Sequence, residues 1–210
     1  MESIIHNRVN WKTFRDTVIP DEHIAILDQV VELCPVQRND LPVAQLFKCG
    51  KSDALVKEKL SRYVFKNTTT DFENSNTGYW EIAPMTAPLV YFCIADQTPH
   101  EEFVLSRQQL HAGIVGGALM AQAMHLGYDF SFIGCQEDPS TEQKEIIRAT
   151  ILERFDTDIG TDFLNFLAFC IGEADTSPDY EGNYELSDGT SVPFRNQISQ
   201  TPAKPTVLIS

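Results

Sequence analysis

Apolar residues recur at helical spacing in several stretches of this chain and form unbroken runs in others. Over residues 20–34, Ile24, Leu27, Val31 and Cys34 line one stripe, Asp21 and Glu22 suit the first turn, and Pro35 is a stop, so the pattern predicts an amphipathic helix. Ser52-Asp53 can cap a second helix running to about Tyr63, with Leu55, Val56, Leu60 and Tyr63 inward and Lys57 in water. Glu101 to Leu126 reads as one long helix that Gly127 ends. Ser140-Thr141 caps a further helix through about Phe155, with Ile146, Ile147, Ile151 and Leu152 as its apolar side. Between these lie strand candidates. Leu89 to Ala95 is continuously apolar between Pro88 and Asp96, the signature of a strand buried on both faces. Val43–Cys49, Phe130–Ile133, Phe163–Ile171 and the terminal Val207-Leu208-Ile209 are shorter candidates. Lys66 to Gly78 reads as a polar loop, and 172–193, rich in Gly, Asp, Ser and Pro, as a long irregular excursion. No repeat or linker divides the chain, so residues 1–210 are expected to form one α/β domain.

The long helix carries Gly113, Gly116 and Gly117 in its interior. Each costs roughly 1 kcal/mol relative to alanine, which predicts close backbone approach by another helix, inside the subunit or across a dimer interface. A phosphate loop is disfavoured: no Walker lysine follows, and no G-x-G-x-x-G follows a strand.

Composition narrows the function classes. With 16 Lys and Arg against 30 Asp and Glu, the net charge is −14, so the average surface repels nucleic acid and anionic membranes. The N-terminus lacks a signal-peptide core, and no apolar run approaches the ~20 residues of a membrane helix, so a cytoplasmic protein is expected. The five cysteines, Cys34, Cys49, Cys93, Cys135 and Cys170, contain no C-x-x-C and read as buried reduced thiols. The histidines form no metal-ligand cluster, so no metal site is expected.

In so acidic a chain, any anionic ligand needs a locally basic pocket. Arg8, Asn10 and Lys12 alternate with Val9, Trp11 and Thr13, and an extended backbone would put all three polar side chains on one face. Two cations flanking an amide suit a phosphate. The same pattern also fits a solvated edge strand. Further on come Ile19-Pro20 at a helix start, Pro35-Val36-Gln37-Arg38-Asn39-Asp40-Leu41-Pro42, Ala87-Pro88 before the apolar strand, and the run Gly116 to Gly134.

This order resembles the FMN-dependent nitroreductase family, with its R-x-S-x-R-x-F opening, P-S-x-x-N-x-Q-P-W loop, A-P-plus-strand and long central helix. The match spans about four-fifths of the chain. Asn10 stands for the family's Ser, Lys12 for Arg, and Val36, Leu41 and Val43 for Ser, Gln and Trp. The resemblance implies a nitroreductase-like α+β fold: a central mixed, largely antiparallel sheet surrounded by helices, in a homodimer whose C-terminal tail within 172–210 exchanges between subunits. It implies FMN as cofactor, held at Arg8, Asn10, Lys12 and a late basic residue, Arg195 or its competitor Lys204. Asn39 would reach the ring edge, and Ile133, Gly134 and Cys135 would offer backbone groups near flavin N5 and O4. The chemistry would run on flavin N5 with no dedicated catalytic side chain: NAD(P)H reduces FMN, leaves, and is replaced by a nitroaromatic, quinone or similar small-molecule acceptor. The alternative is a diverged flavin-binding or interaction protein of the same fold with little turnover, suggested by Val36, Leu41 and Val43.

Overall fold

The computed structural model describes residues 13–34, 44–65, 82–96, 102–134, 140–160, 163–176 and 181–195. Their elements run α1 (Asp21–Leu33), β1 (Gln45–Cys49), α2 (Ala54–Phe65, entered through a 3₁₀ turn), α3 (Ala83–Thr86), β2 (Leu89–Asp96), α4 (Glu102–His125), β3 (Asp129–Gly134), α5 (Thr141–Phe155), β4 (Phe163–Gly172), β5 (Glu181–Glu185) and β6 (Ser191–Arg195).

Four strands form one sheet in the order β1-β2-β4-β3, and each pairing is antiparallel. Strand β2 is buried on both faces, as its unbroken apolar run requires. Val90, Phe92 and Ile94 point to one core, with Phe47, Ala168, Cys170, Ile133, Leu60 of α2, and Ile147 and Ile151 of α5. Leu89, Tyr91 and Cys93 point to the other, with Phe169, Ile171, Phe130, Leu27 of α1, and Ala112, Val115, Leu119 and Ala123 of α4. The period of two along β2 thus feeds two helical layers, one on each side.

The helix ends follow local chemistry. Ser140 Oγ accepts from Gln143 N–H at 3.4 Å while Gln143 Oε1 accepts from Ser140 N–H at 2.8 Å, a reciprocal cap at the start of α5. At the end of α4, Gly127 takes φ of 90°, Tyr128 N–H donates to Ala123 O at 2.9 Å and Gly127 N–H to Met124 O at 3.1 Å. These are the paired bonds of a left-handed glycine cap.

Several expectations are corrected. The close approach at Gly116 comes from the sheet, not from a helix: a Cβ there would lie 2.6 Å from Phe169 Cε1 and 2.8 Å from Phe132 Cε1. Gly113 and Gly117 have nothing within 4 Å of such a Cβ. Part of the stretch read as irregular, 172–193, is ordered as the β5–β6 hairpin, a separate two-stranded sheet. Its turn runs through Ser187-Asp188-Gly189, with Gly189 at φ of 80° and Leu186 N–H donating to Thr190 O at 2.8 Å. Its apolar residues Tyr184, Leu186, Val192 and Phe194 pack on Ile82 and Met85, next to and within α3. Leu55 and Leu152, expected inward, are instead exposed.

Candidate functional site

The segment that carries the basic comb is seen from Thr13 onward, and there it is extended. Phe14 makes an antiparallel bridge with Ala174, just past the end of β4. Arg15 N–H donates to Glu173 O at 2.8 Å and Asp175 N–H to Thr13 O at 3.1 Å. Phe14 N–H donates to Thr86 Oγ1 of α3 at 3.1 Å, and Ala174 N–H to Asp129 Oδ2 at 2.9 Å. Gly172 lets this corner close, since a Cβ there would meet Pro88 Cδ at 2.5 Å and Phe14 Cδ1 at 3.2 Å. From Thr13 the chain therefore runs extended and is pinned on two sides. Thr13 Oγ1 is buried and has no hydrogen-bond partner among the described residues. Arg8, Asn10, Lys12, Asn39, Cys135 and Lys204 lie outside the described residues.

Ile133 and Gly134 end β3, which among the described residues is an outer strand of the sheet, and pair with Ala168 and Leu167 of β4. Ile133 is buried with its side chain in the core shared with α2 and α5, so only its backbone is open to another role. Gly134 pairs with Leu167, midway along β4, and Phe14 bridges Ala174, just past the end of that strand. Arg195 is the last residue of β6, opposite Glu181 in the hairpin register.

Sequence reasoning missed a buried polar stripe on α2. Asp53, Lys57, Glu58 and Ser61 are all buried, whereas Leu55 is 51% exposed. Lys57, expected in water, is 3% exposed, and its Nζ donates to Ala87 O at 2.7 Å, at the end of α3. Burial lowers its pKa, opposed by the nearby Cys49, Cys170, Asp53 and Asp16. Asp53 Oδ2 accepts from Gly50 N–H at 2.8 Å, and Oδ1 accepts from Arg154 Nε at 2.6 Å. Burial pushes the Asp53 carboxyl up, but Arg154 and the Gly50 N–H outweigh it and hold the carboxyl below its ordinary value. Glu58 commits both oxygens to one residue: Oε2 accepts from Ser187 N–H at 2.7 Å and Oε1 from Ser187 Oγ at 2.9 Å.

The other chemistry is quiet. Burial pushes the Cys49 and Cys93 thiols up to about 12, and Cys34, Cys49 and Cys93 form no disulfide among the described residues. Thiols so protonated are poor nucleophiles. Among the described residues no group of three His, Cys, Asp or Glu could hold a metal ion, and no helix is long and apolar enough to cross a membrane.

No family model and no curated protein matches this chain in sequence. Solved structures do match its fold. An FMN-dependent nitroreductase from Clostridium difficile R20291 superposes with a TM-score of 0.59 at 18% identity, covering 88% of this chain and 96% of that one. A second from the same organism gives 0.58 at 16% identity, covering 89% and 95%. A nitroreductase family protein from Clostridium novyi NT gives 0.56 at 16% identity, covering 83% and 84%. An all-antiparallel β1-β2-β4-β3 sheet between two helical layers, matched over nearly the full length of such proteins, is the nitroreductase fold, and this chain has it.

Proposed function

We propose that this protein is an FMN-dependent oxidoreductase that takes electrons from NAD(P)H and passes them to a nitroaromatic, quinone or similar small acceptor. The observation that carries the reading is the placement of the N-terminal segment: the extended backbone from Thr13 is fixed by the bridge to Ala174 and by Thr86, in a fold shared with FMN-dependent nitroreductases. The described residues fit such a cofactor. Gly134 ends strand β3 with no side chain to block a flat ring. Arg8, Lys12 and Arg195 would hold the phosphate, Asn10 would add a hydrogen bond, Asn39 would reach the ring edge, and Ile133, Gly134 and Cys135 would offer backbone groups. Bound FMN supplies the two-electron exchange between nicotinamide and acceptor. The chain's task is to bind it, orient it and neutralise its charge in an otherwise acidic protein.

A second copy of the chain fits the outer face of α4. Leu110 and Ile114 are 48% and 39% exposed, and Gly113 and Gly117, on the same strip, face open space. Residues at this spacing share one helix face, so the protein is read as a homodimer built on it. The second reading, a flavin-binding protein with little turnover, is favoured by Val36, Leu41 and Val43, whose side chains cannot hydrogen-bond as the family's Ser and Gln do.

The test is the absorption spectrum of the purified protein, chromatography of what denaturation releases, and NAD(P)H-dependent reduction of a quinone. Yellow protein, released FMN and turnover are expected. Bound FMN without turnover selects the second reading. A colourless protein that FMN cannot reconstitute overturns both.

A further inference from the structure

Among the described residues the β5–β6 hairpin has no ladder to the main sheet, and its two strands pair with each other. An isolated two-stranded hairpin is marginal in water. This one is docked by a small apolar cluster, Leu186, Val192 and Phe194 with Ile82 and Met85, and by the Glu58 carboxylate. Glu58 is 7% exposed, and a buried carboxylate is costly unless its oxygens are satisfied. Both oxygens are spent on Ser187, which lies 129 residues away in sequence and stands exposed at the hairpin turn. The bond to the Ser187 N–H fixes the backbone of the turn itself, not merely a side chain. From that turn, β6 runs as an extended strand and ends at Arg195.

We propose that Glu58 is a positioning residue for the cofactor's phosphate: it latches the hairpin turn to α2 and so fixes where β6 delivers Arg195. This rests on the reading of Arg195 as a phosphate ligand and deepens it. The stripe on α2 has a matching second anchor, Lys57 on Ala87 O, which holds the end of α3, the helix whose Met85 lies beneath the hairpin and whose Thr86 binds Phe14. One helix thereby ties together the two segments that carry the basic residues, the N-terminal strand through α3 and the hairpin through Ser187.

The experiment compares FMN with riboflavin, which differ only in the phosphate, by titrating apoprotein. In wild type, FMN binds more tightly than riboflavin. Glu58→Ala is expected to weaken FMN by roughly tenfold, the scale of a charge-assisted hydrogen bond, and to leave riboflavin within about twofold. Hydrogen exchange at the amides of 184–194 should quicken in the same variant. Glu58→Gln, whose amide can still accept from the Ser187 N–H and donate to its Oγ, should restore both readouts. Ser187→Ala, at an exposed turn where folding is not at risk, should weaken FMN by about threefold. If Glu58→Ala and Ser187→Ala keep the wild-type preference for FMN, or weaken both ligands equally, the latch is overturned while the cofactor reading stands. A wild type that binds FMN no better than riboflavin overturns the phosphate reading and the latch together.

Discussion

Gly116 offers the sharpest test of the packing between α4 and the sheet. Replacing it with alanine adds one methyl group, and the structure says where that methyl goes: 2.6 Å from Phe169 Cε1, 2.8 Å from Phe132 Cε1 and 2.9 Å from Phe169 Cζ. Ordinary contacts begin near 3.5 Å, so the rings must retreat by close to an ångström. They have little room to do so. Phe169 is fully buried, its ring centroid 6.1 Å from Phe130 in a stacked pair and 5.6 Å from Phe132 in an edge-on pair. Moving one ring moves three. Overpacking of this kind costs about 1–3 kcal/mol, and the rigid trio argues for the upper part of that range. Alanine returns roughly 1 kcal/mol of helix propensity. The net loss is about 1–2 kcal/mol, a fall in Tm of roughly 2–8 °C for a chain of this size. Gly113→Ala has the propensity gain without the clash, because nothing lies within 4 Å of its Cβ. It should melt about 2–4 °C above wild type. Thermal and urea melts at one protein concentration decide the matter. A Gly116→Ala protein as stable as Gly113→Ala would refute the aromatic contact.

Arg8→Ala should weaken FMN binding about tenfold or more, the scale of a charge-assisted phosphate bond, whereas Lys51→Ala, at an exposed surface pair with Asp16, should leave titrations unchanged; equal losses would remove Arg8 from the site. Ile114→Asp places a charge on the exposed apolar strip of α4 and should shift sedimentation toward monomer without lowering the melting temperature of the monomeric form; an unchanged dimer would move the interface elsewhere. Gln108 is fully buried and neither atom of its amide has a partner among the described residues, so Gln108→Leu should be neutral or stabilising by about 1–3 kcal/mol; a large destabilisation in urea would reveal a hidden partner. The Cys49 thiol, held by burial at about 12, is protonated in the folded protein while the unfolded thiol ionises near 9. Its contribution is fully present below the unfolded pKa and is lost as pH rises from there toward 12; Cys49→Ala should therefore flatten part of the alkaline fall in stability, and an unchanged slope would contradict the burial effect.

The elements that the sequence discloses are those whose physics is local. α1 stops where Pro35 forbids another turn, α4 stops at the left-handed Gly127, and α5 starts at a reciprocal cap written four residues long in Ser140–Gln143. Strand β2 is legible because no other element tolerates apolar residues on both sides at that length. The N-terminal comb is legible only as a pattern; the extended backbone that follows it, at Thr13 and Phe14, is set by a bridge between Phe14 and Ala174, 160 positions away.

Helix α2 shows why the remainder stayed hidden. Amphipathic reading assigns charges to water, and by that rule Leu55 and Val56 belong inside and Lys57 and Glu58 outside. Leu60 and Val56 do pack on the core, but Leu55 is exposed and the charges are buried, because they find partners that no window of sequence contains: Arg154 for Asp53, the carbonyl of Ala87 for Lys57, and the Ser187 turn for Glu58. Burying these groups costs several kcal/mol each if they are left alone and becomes tolerable only when each is hydrogen-bonded. Such an arrangement adds little net stability over an apolar face of the same shape. What it adds is direction: an apolar face would let α3 and the hairpin slide, whereas a carboxylate with two donors at 2.7 and 2.9 Å accepts one placement of the turn. The feature least legible in the sequence is therefore the one that ties α3 and the β5–β6 hairpin to α2.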